Sequence, residues 1–255
     1  MGARLQFFGA AAYLIVTPSG TRVLLDPFLD DNPFSPVKSK DLDRVDLLLI
    51  THNALDHFGD APALVKRHRC PVICAKDVMH RLVTQYSIDP NVFRVGIWGF
   101  LLQEAGVNVR CVESHHWSFA VGMGGQLLSG PAMGFIVEAA PGIRVYHPGD
   151  SALTYDMKLW GELYRPTVGL MHVTLPEGEG VSLPHMACYK TGELTPQEAY
   201  LASQWLGVNH IIVSHYVDPK CPDVRDFLSI AKAADRGDGL APRITVMAPG
   251  ESIEL

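Results

Sequence analysis

The chain has 255 residues, 47% of them hydrophobic, and a formal net charge of −6. A chain of this length and composition can bury a large core, so we expect a single domain over residues 1–255. The acidic balance excludes a general attraction for nucleic acid or anionic lipid, and no apolar run reaches the roughly 18 residues of a membrane span. Five scattered cysteines form neither zinc-ribbon pairs nor a disulfide scaffold, which favours a cytoplasmic location.

The first half of the chain predicts short strands followed by helices. Residues 10–16 and 21–26 flank a Thr-Pro-Ser-Gly turn and predict a β-hairpin. The apolar residues 45–51 predict a buried strand, and residues 60–66 open a helix for which Asp60 is the expected N-cap. Residues 71–74 predict the next strand.

The second half of the chain predicts more strands, with one well-marked helix among them. Thr195 and Glu198 form the sequence pattern of a capping box, and the helix that follows should end at Gly207. Residues 117–133 and 174–192 are rich in glycine or proline and predict long loops beside a binding pocket. The predicted strands cover residues 107–112, 134–138, 143–147, 168–172 and 211–215. Strands and helices in this mixed order indicate sheets covered by helices.

Side chains that bind metals follow several of these predicted strands. They are His52, Asp56, His57, His116, Asp150 and His215. Ligands in open α/β sheets bind where strands end, and four of these residues lie at predicted strand ends. A single histidine at a strand end is more often structural than a metal ligand, and residues 149–151 taken by themselves predict only a turn. The occurrence of such residues at the ends of four strands nevertheless favours one metal site.

The same segments resemble those of a known family. The chain has Asp-Pro-Phe at residues 26–28, Thr-His-x-x-x-Asp-His at 51–57, His-Trp-Ser at 116–118, His-Pro-Gly-Asp-Ser at 147–151 and Ser-His-Tyr at 214–216. Their order is similar to that of the metallo-β-lactamase superfamily, and most similar to its ascorbate-phosphate-lactonase-like proteins and small uncharacterised metal-dependent hydrolases. The resemblance implies an α/β fold, a four-layer αββα sandwich, and a single metallo-hydrolase domain.

The resemblance also implies two metal half-sites that share one carboxylate. His52 and His116 are the ligands implied for the first half-site. The second half-site would consist of Asp56, His57 and His215, and Asp150 would be the shared carboxylate. Asp56 and Asp150 are the candidate catalytic residues, and one or two divalent ions, zinc or manganese, are the expected cofactor. We expect further residues to support the ligands or to meet the substrate: Asp26, His115, Trp117, His147 and His185. His115 is also the alternative metal ligand to its neighbour His116, which is preferred.

Ala54 is the one departure from the family motif His-x-His-x-Asp-His, since it stands where the second histidine is expected. A methyl group cannot bind a metal, so the affinity of the first half-site should fall. Natural divergence, to one metal or to a binding protein, would explain the alanine. Deliberate replacement would explain it too, and the intact remainder of the motif favours that account.

The resemblance implies metal-hydroxide attack on a small molecule, with activity reduced by Ala54. Few lysines or arginines lie near the motifs, which favours a lactone or a cyclic amide over a phosphorylated substrate. A phosphodiesterase of the same fold and a non-catalytic metal- or ligand-binding protein are the alternatives. The expected partner is a small-molecule substrate, with no nucleic acid and no membrane, and a homo-oligomer is left open.

Overall fold

The computed structural model describes residues 2–174, 192–216 and 218–255 of the chain. Its strands are β1 (Arg4–Gly9), β2 (Ala12–Val16), β3 (Arg22–Leu25), β4 (Leu47–Leu49), β5 (Val72–Cys74), β6 (Phe93–Val95), β7 (Leu101–Glu104), β8 (Val107–Val121), β9 (Leu127–Ala140), β10 (Ile143–His147), β11 (Val168–His172), β12 (His210–Ser214), β13 (Arg243–Val246) and β14 (Ser252–Glu254). Its α-helices are α1 (Leu55–Phe58), α2 (Ala61–His68), α3 (Lys76–Tyr86), α4 (Asp156–Tyr164), α5 (Pro196–Leu206) and α6 (Pro222–Ala234), and short 3₁₀ helices cover Ser39–Asp41 and Pro90–Val92. Within these described ranges, no helix is long and apolar enough to cross a membrane.

The strands form two seven-stranded sheets. The order of the first sheet is β14-β1-β2-β3-β4-β5-β6, and the order of the second is β13-β12-β11-β10-β9-β8-β7. Strands β3 to β6 run parallel in the first sheet, and β10 to β13 run parallel in the second. Parallel strands bury both faces, which explains why β4 is an uninterrupted run of leucines.

The alternation of side chains along β4 shows how the layers stack. Leu47 and Leu49 belong to a core that joins the two sheets, whereas Leu48 belongs to a second core on the opposite face of the first sheet. Residues of α1, α2 and α3 pack into that second core, and residues of α4, α5 and α6 pack against the second sheet. The order helix, sheet, sheet, helix is the αββα sandwich that the sequence predicts.

Several local predictions are confirmed, and one is wrong in its detail. Strands β2 and β3 form the expected antiparallel hairpin. Thr195 accepts a hydrogen bond from the Glu198 amide at 3.2 Å, Glu198 accepts one from the Thr195 amide at 2.9 Å, and α5 ends before Gly207. Asp60 is the N-cap residue of α2, as predicted, but its side chain does not bond to the helix, because its carboxylate instead accepts the amides of Leu29 and Asp30 at 2.7 and 2.9 Å.

The predicted loop at residues 117–133 is wrong, because this segment forms the outer part of a long hairpin. Strand β8 continues to Val121 and pairs with β9 from Trp117 opposite Pro131 to Val121 opposite Leu127. The glycines that suggested a loop are concentrated in the turn at residues 122–125. His116 therefore lies inside a strand rather than at a strand end. The other predicted loop, residues 174–192, falls almost entirely outside the described residues.

Candidate metal centre

The segment between β4 and α2 carries three of the predicted ligands. After β4 ends at Leu49, the chain runs to Ala54, the N-cap residue of α1, with φ −60° and ψ 151°. His52 and His57 are fully buried, and Asp56 on α1 is half-buried. The segment after β4 and the one-turn helix α1 that follows it thus direct imidazoles inward and a carboxylate towards the surface.

Four of the predicted ligands form what we call the four-residue cluster: Asp56, His57, Asp150 and His215. Their ligand atoms lie within 4.8 Å of one another. His57 Nε2 lies 3.1 Å from Asp150 Oδ2 and 3.7 Å from Asp56 Oδ2. His215 Nε2 lies 3.4 Å from Asp150 Oδ1 and 3.3 Å from Asp56 Oδ2. Two imidazole nitrogens and two carboxylates therefore converge on one small volume.

A second group, which we call the three-residue cluster, consists of His52, His116 and Asp150. The Nε2 atoms of both histidines lie 3.8 Å from Asp150 Oδ2. Asp150 is 3% exposed and belongs to both clusters, so one carboxylate lies between them. The structure brings the six predicted ligands together in the two sets that the family resemblance implies.

Asp150 reaches this position because the chain after β10 turns tightly against the segment that follows β4. Gly149 has φ +64°, and a Cβ at this residue would lie 2.8 Å from the Cβ of Thr51. Only glycine combines that backbone conformation with so close an approach. Residues 149–151 are thus both a turn and a part of the cluster.

Asp26 lies beneath the clusters and holds two imidazoles in place. Its buried carboxylate accepts hydrogen bonds from the Thr51 amide at 2.9 Å, the Thr51 hydroxyl at 2.8 Å, His57 Nδ1 at 2.8 Å and His147 Nε2 at 2.7 Å. Since the Thr51 hydroxyl donates to Asp26, its oxygen accepts from His52 Nδ1 at 3.0 Å. Both His52 and His57 therefore carry a proton on Nδ1 and direct Nε2 at the clusters.

Near Nδ1 of each of the other two histidines lies an oxygen of a residue that the sequence did not single out. His215 Nδ1 lies 3.2 Å from Glu193 Oε2, and Glu193 is 5% exposed. His116 Nδ1 lies 3.4 Å from the carbonyl oxygen of Gly192. In the sequence, Glu193 is only an acidic residue two positions before Thr195, the N-cap of α5, and that position does not by itself predict a partner.

The histidines of the site differ in the direction in which their pKa is shifted. Burial, with the charge of His57, lowers the pKa of His52 to about 3, so this ring is neutral at neutral pH. Burial also acts to lower the pKa of His57 and His215, but the neighbouring carboxylates, Asp150 first, outweigh it and raise the pKa of both rings well above its ordinary value. Burial alone would raise the pKa of Asp150, yet His215 and His57 hold it well below its usual range.

The remaining predicted residues lie around the clusters or outside the described residues. His115 is exposed, and its Nε2 lies 3.5 Å from Glu113, away from both clusters. Trp117 is 53% exposed and packs edge-on against Phe119. His147 contacts Asp26 only through Nε2, and His185 lies outside the described residues. His116, not its neighbour, is thus the histidine of β8 that faces the carboxylate of Asp150.

The donor atoms fit a divalent metal. In the part of the chain that the structure describes, the Nε2 atoms of His52 and His57 are buried and make no hydrogen bond. Leaving buried polar atoms without partners is costly, and lone pairs that converge with carboxylates are the usual ligands of zinc and related ions. The clusters therefore have the chemistry of a metal centre, with Asp150 able to contact an ion on either side.

The sequence comparisons agree with this arrangement. The sequence model of the family described as "Beta-lactamase superfamily domain" matches residues 21–216. A UPF0173 metal-dependent hydrolase of Rubrobacter xylanophilus is 32% identical and the match covers 99% of this chain and 96% of that relative. The chain belongs to the metallo-β-lactamase superfamily, among the UPF0173 metal-dependent hydrolases. A member from Archaeoglobus fulgidus is 31% identical over 99% of both chains.

Solved structures show the same metallo-β-lactamase fold. A metallo hydrolase from the archaeon Ignicoccus hospitalis superposes with a TM-score of 0.76 at 24% identity, covering 100% of this chain and 99% of the other. A possible metal-dependent hydrolase from Veillonella parvula superposes with a TM-score of 0.72 at 21% identity over the full length of both chains. Fold and family are thus those of a metal-dependent hydrolase of the metallo-β-lactamase fold.

Proposed function

We propose that this chain hydrolyses a small neutral molecule, a lactone or a cyclic amide, at the two clusters that share Asp150, with zinc or manganese as cofactor. The observation that carries the proposal is the common orientation of the four histidines. Each has a protein oxygen within 3.4 Å of its Nδ1, and each directs Nε2 at the clusters. Such orientation is what metal binding requires, and a fold stabilised by packing alone has no need of it.

The roles of the residues follow from their positions. Asp150 would contact an ion in either cluster, and Asp56, the most exposed of the ligands, would handle the proton at the open side of the site. The carboxylate oxygens of Asp26 accept hydrogen bonds from Thr51 and two histidines. These bonds fix the imidazole rings and leave Asp26 without a direct role towards the substrate. When bound, a divalent ion supplies a Lewis acid and a water of lowered pKa to this site.

The surroundings favour a substrate without negative charge. Among the described residues, the ion pairs of both clusters join carboxylates only to imidazoles, with no lysine or arginine to receive a phosphate. Leu55 and Trp117 flank the ligands in sequence and are 64% and 53% exposed, so apolar surface is available beside the clusters. A small cyclic ester or amide combines a polarisable carbonyl with an apolar ring that suits this surface.

Ala54 indicates that the two clusters bind metal unequally. The four-residue cluster offers four donors, whereas the three-residue cluster offers two imidazoles and a carboxylate that it shares. We therefore expect one tight metal, at the four-residue cluster, and one weaker metal, and we expect hydrolysis to be impaired because two-metal hydrolysis needs both ions. The same alanine is the observation that favours the second candidate, a metal- or ligand-binding protein without catalysis.

The test compares the protein with Ala54→His on lactones, cyclic amides and phosphodiesters, with zinc or manganese supplied. Ala63→His is the matched control, because it makes the same substitution at an exposed position of α2. We expect Ala54→His to increase lactone or cyclic amide turnover and Ala63→His to leave it unchanged. Turnover of phosphodiesters alone would show that the substrate is a phosphodiester and not a lactone or cyclic amide. Metal binding without turnover in any variant would favour the second candidate, a metal- or ligand-binding protein without catalysis.

A further inference from the structure

A buried polar network lies beside the three-residue cluster and includes none of its ligands. Asp77, near the start of α3, accepts hydrogen bonds through Oδ2 from Asn53 Nδ2 at 2.8 Å and from the Ser118 hydroxyl. The Ser118 oxygen in turn accepts a hydrogen bond from the backbone N–H of Asn53 at 3.3 Å. The three residues therefore close a ring of hydrogen bonds, and all three are at least nine-tenths buried.

The surrounding chain is built to admit the carboxylate of Asp77. Gly130 lies opposite Ser118 on β9, and a Cβ at Gly130 would lie 2.3 Å from Asp77 Cγ. Arg81, one turn further along α3, donates to the carbonyl oxygen of Asn53 at 2.9 Å. The missing side chain at Gly130 makes room for Asp77, and Arg81 adds a second contact from the same helix. Together they fix α3 against the segment that follows β4.

Two members of the ring lie next to metal-binding residues that come from different sheets. Asn53 directly follows His52 in the segment after β4, and Ser118 lies two residues after His116 in β8. The pairing of β8 with β9 is irregular between Glu113 and Trp117 and regular again from Trp117 onward, so Ser118 lies at the start of the paired stretch that directly follows His116. By accepting a hydrogen bond from each of these two partners, Asp77 links the segment that carries His52 to the strand that carries His116.

We propose that Asp77 is a positioning residue for the three-residue cluster, acting through Asn53 and Ser118. This proposal rests on the proposed function, since it assumes that the cluster binds metal. A site with only two imidazoles and a shared carboxylate depends strongly on how well those donors are pre-arranged. Removing partners one step away from metal ligands typically weakens binding by about 10- to 100-fold. Among the described residues, the hydrogen bonds of this ring include no member of the four-residue cluster, which should therefore not respond.

The test is a Zn²⁺ titration of the chain by calorimetry, which measures the affinity of each of two bound zinc ions. We assign the tighter equivalent of Zn²⁺ to the four-residue cluster and the weaker equivalent to the three-residue cluster. We expect Asp77→Ala, and the milder Ser118→Ala, to weaken the weaker equivalent by about tenfold or more and to change the tighter one less than about twofold. Asp77→Asn should restore binding, because its amide oxygen can accept the same two donors. Val78→Ala is the control, since it removes buried packing from α3 and leaves the ring intact.

The outcomes distinguish this proposal from the proposed function. If the wild-type chain binds no Zn²⁺, both fail together. If it binds two equivalents and the Asp77 and Ser118 variants weaken neither, or weaken both equally, only the positioning role is wrong. If Val78→Ala has the same selective effect as Asp77→Ala, general loosening of α3 explains the result and the proposal is overturned.

Discussion

The substitution Ala54→His should restore a donor to the three-residue cluster and increase its affinity for Zn²⁺. Ala54 is half-buried, and its backbone is in the extended conformation, which any residue can adopt. Its side chain makes no capping hydrogen bond to α1. A histidine at this position therefore replaces no existing interaction. The neighbouring Leu55 is 64% exposed, which shows that this side of the segment is open.

The expected magnitude follows from the number of donors. Structural zinc sites with four ligands bind with about 10–16 kcal/mol, or about 2.5–4 kcal/mol for each ligand. Ordering the new side chain costs about 1 kcal/mol, which leaves about 1.5–3 kcal/mol. At 1.4 kcal/mol for each factor of ten, the affinity of the weaker equivalent should increase by about 10- to 100-fold.

Competition titration against a chromophoric chelator measures both equivalents in the same experiment. We expect the weaker equivalent to tighten and the tighter equivalent to remain unchanged, because the four-residue cluster does not include position 54. Ala63→His provides the control for an added surface histidine. An unchanged weaker equivalent, or a change confined to the tighter one, would refute the assignment of position 54 to the three-residue cluster.

Three further predictions follow from the same geometry. Glu193→Gln should weaken the tighter Zn²⁺ equivalent by about 10- to 100-fold, because a neutral amide holds His215 Nδ1 less strongly; unchanged affinity would exclude this role. Because carboxylates raise the pKa of His57 and His215, protons compete with metal, and Zn²⁺ affinity should increase from about pH 6 to pH 8; a flat profile would contradict it. Thr195→Ala should lower the free energy of unfolding by about 1 kcal/mol, because it removes the cap that Glu198 completes, and denaturation in urea checks this.

The sequence predicted those parts of the fold that are encoded locally. The capping box of α5 and its end at Gly207 lie within one short segment, and the leucines of β4 show a buried strand directly. The ligands that follow β4, β10 and β12 could be found because parallel strands bring their ends to one edge. Local signals and the resemblance together therefore pointed to residues that the structure brings together.

Other features depend on contacts between distant parts of the chain. The extension of β8 to Val121 requires its pairing with β9, which the glycines of the turn concealed. Asp60 looked like a helix cap, but the approach of the chain at Leu29 gives its carboxylate better partners. Glu193 and Asp77 acquire their roles only when distant segments meet, and neither stands in a pattern that sequence reasoning recognises.

The central claim is that the shared carboxylate of Asp150 lies between metal-binding clusters. The most direct measurement is anomalous diffraction at the zinc edge from crystals of the protein reconstituted with Zn²⁺. The account predicts a strong peak in contact with Asp150, His57 and His215, and a weaker one between Asp150 and His52. A zinc peak at the exposed group of Glu113, His115 and Asp156, with none at Asp150, would contradict it.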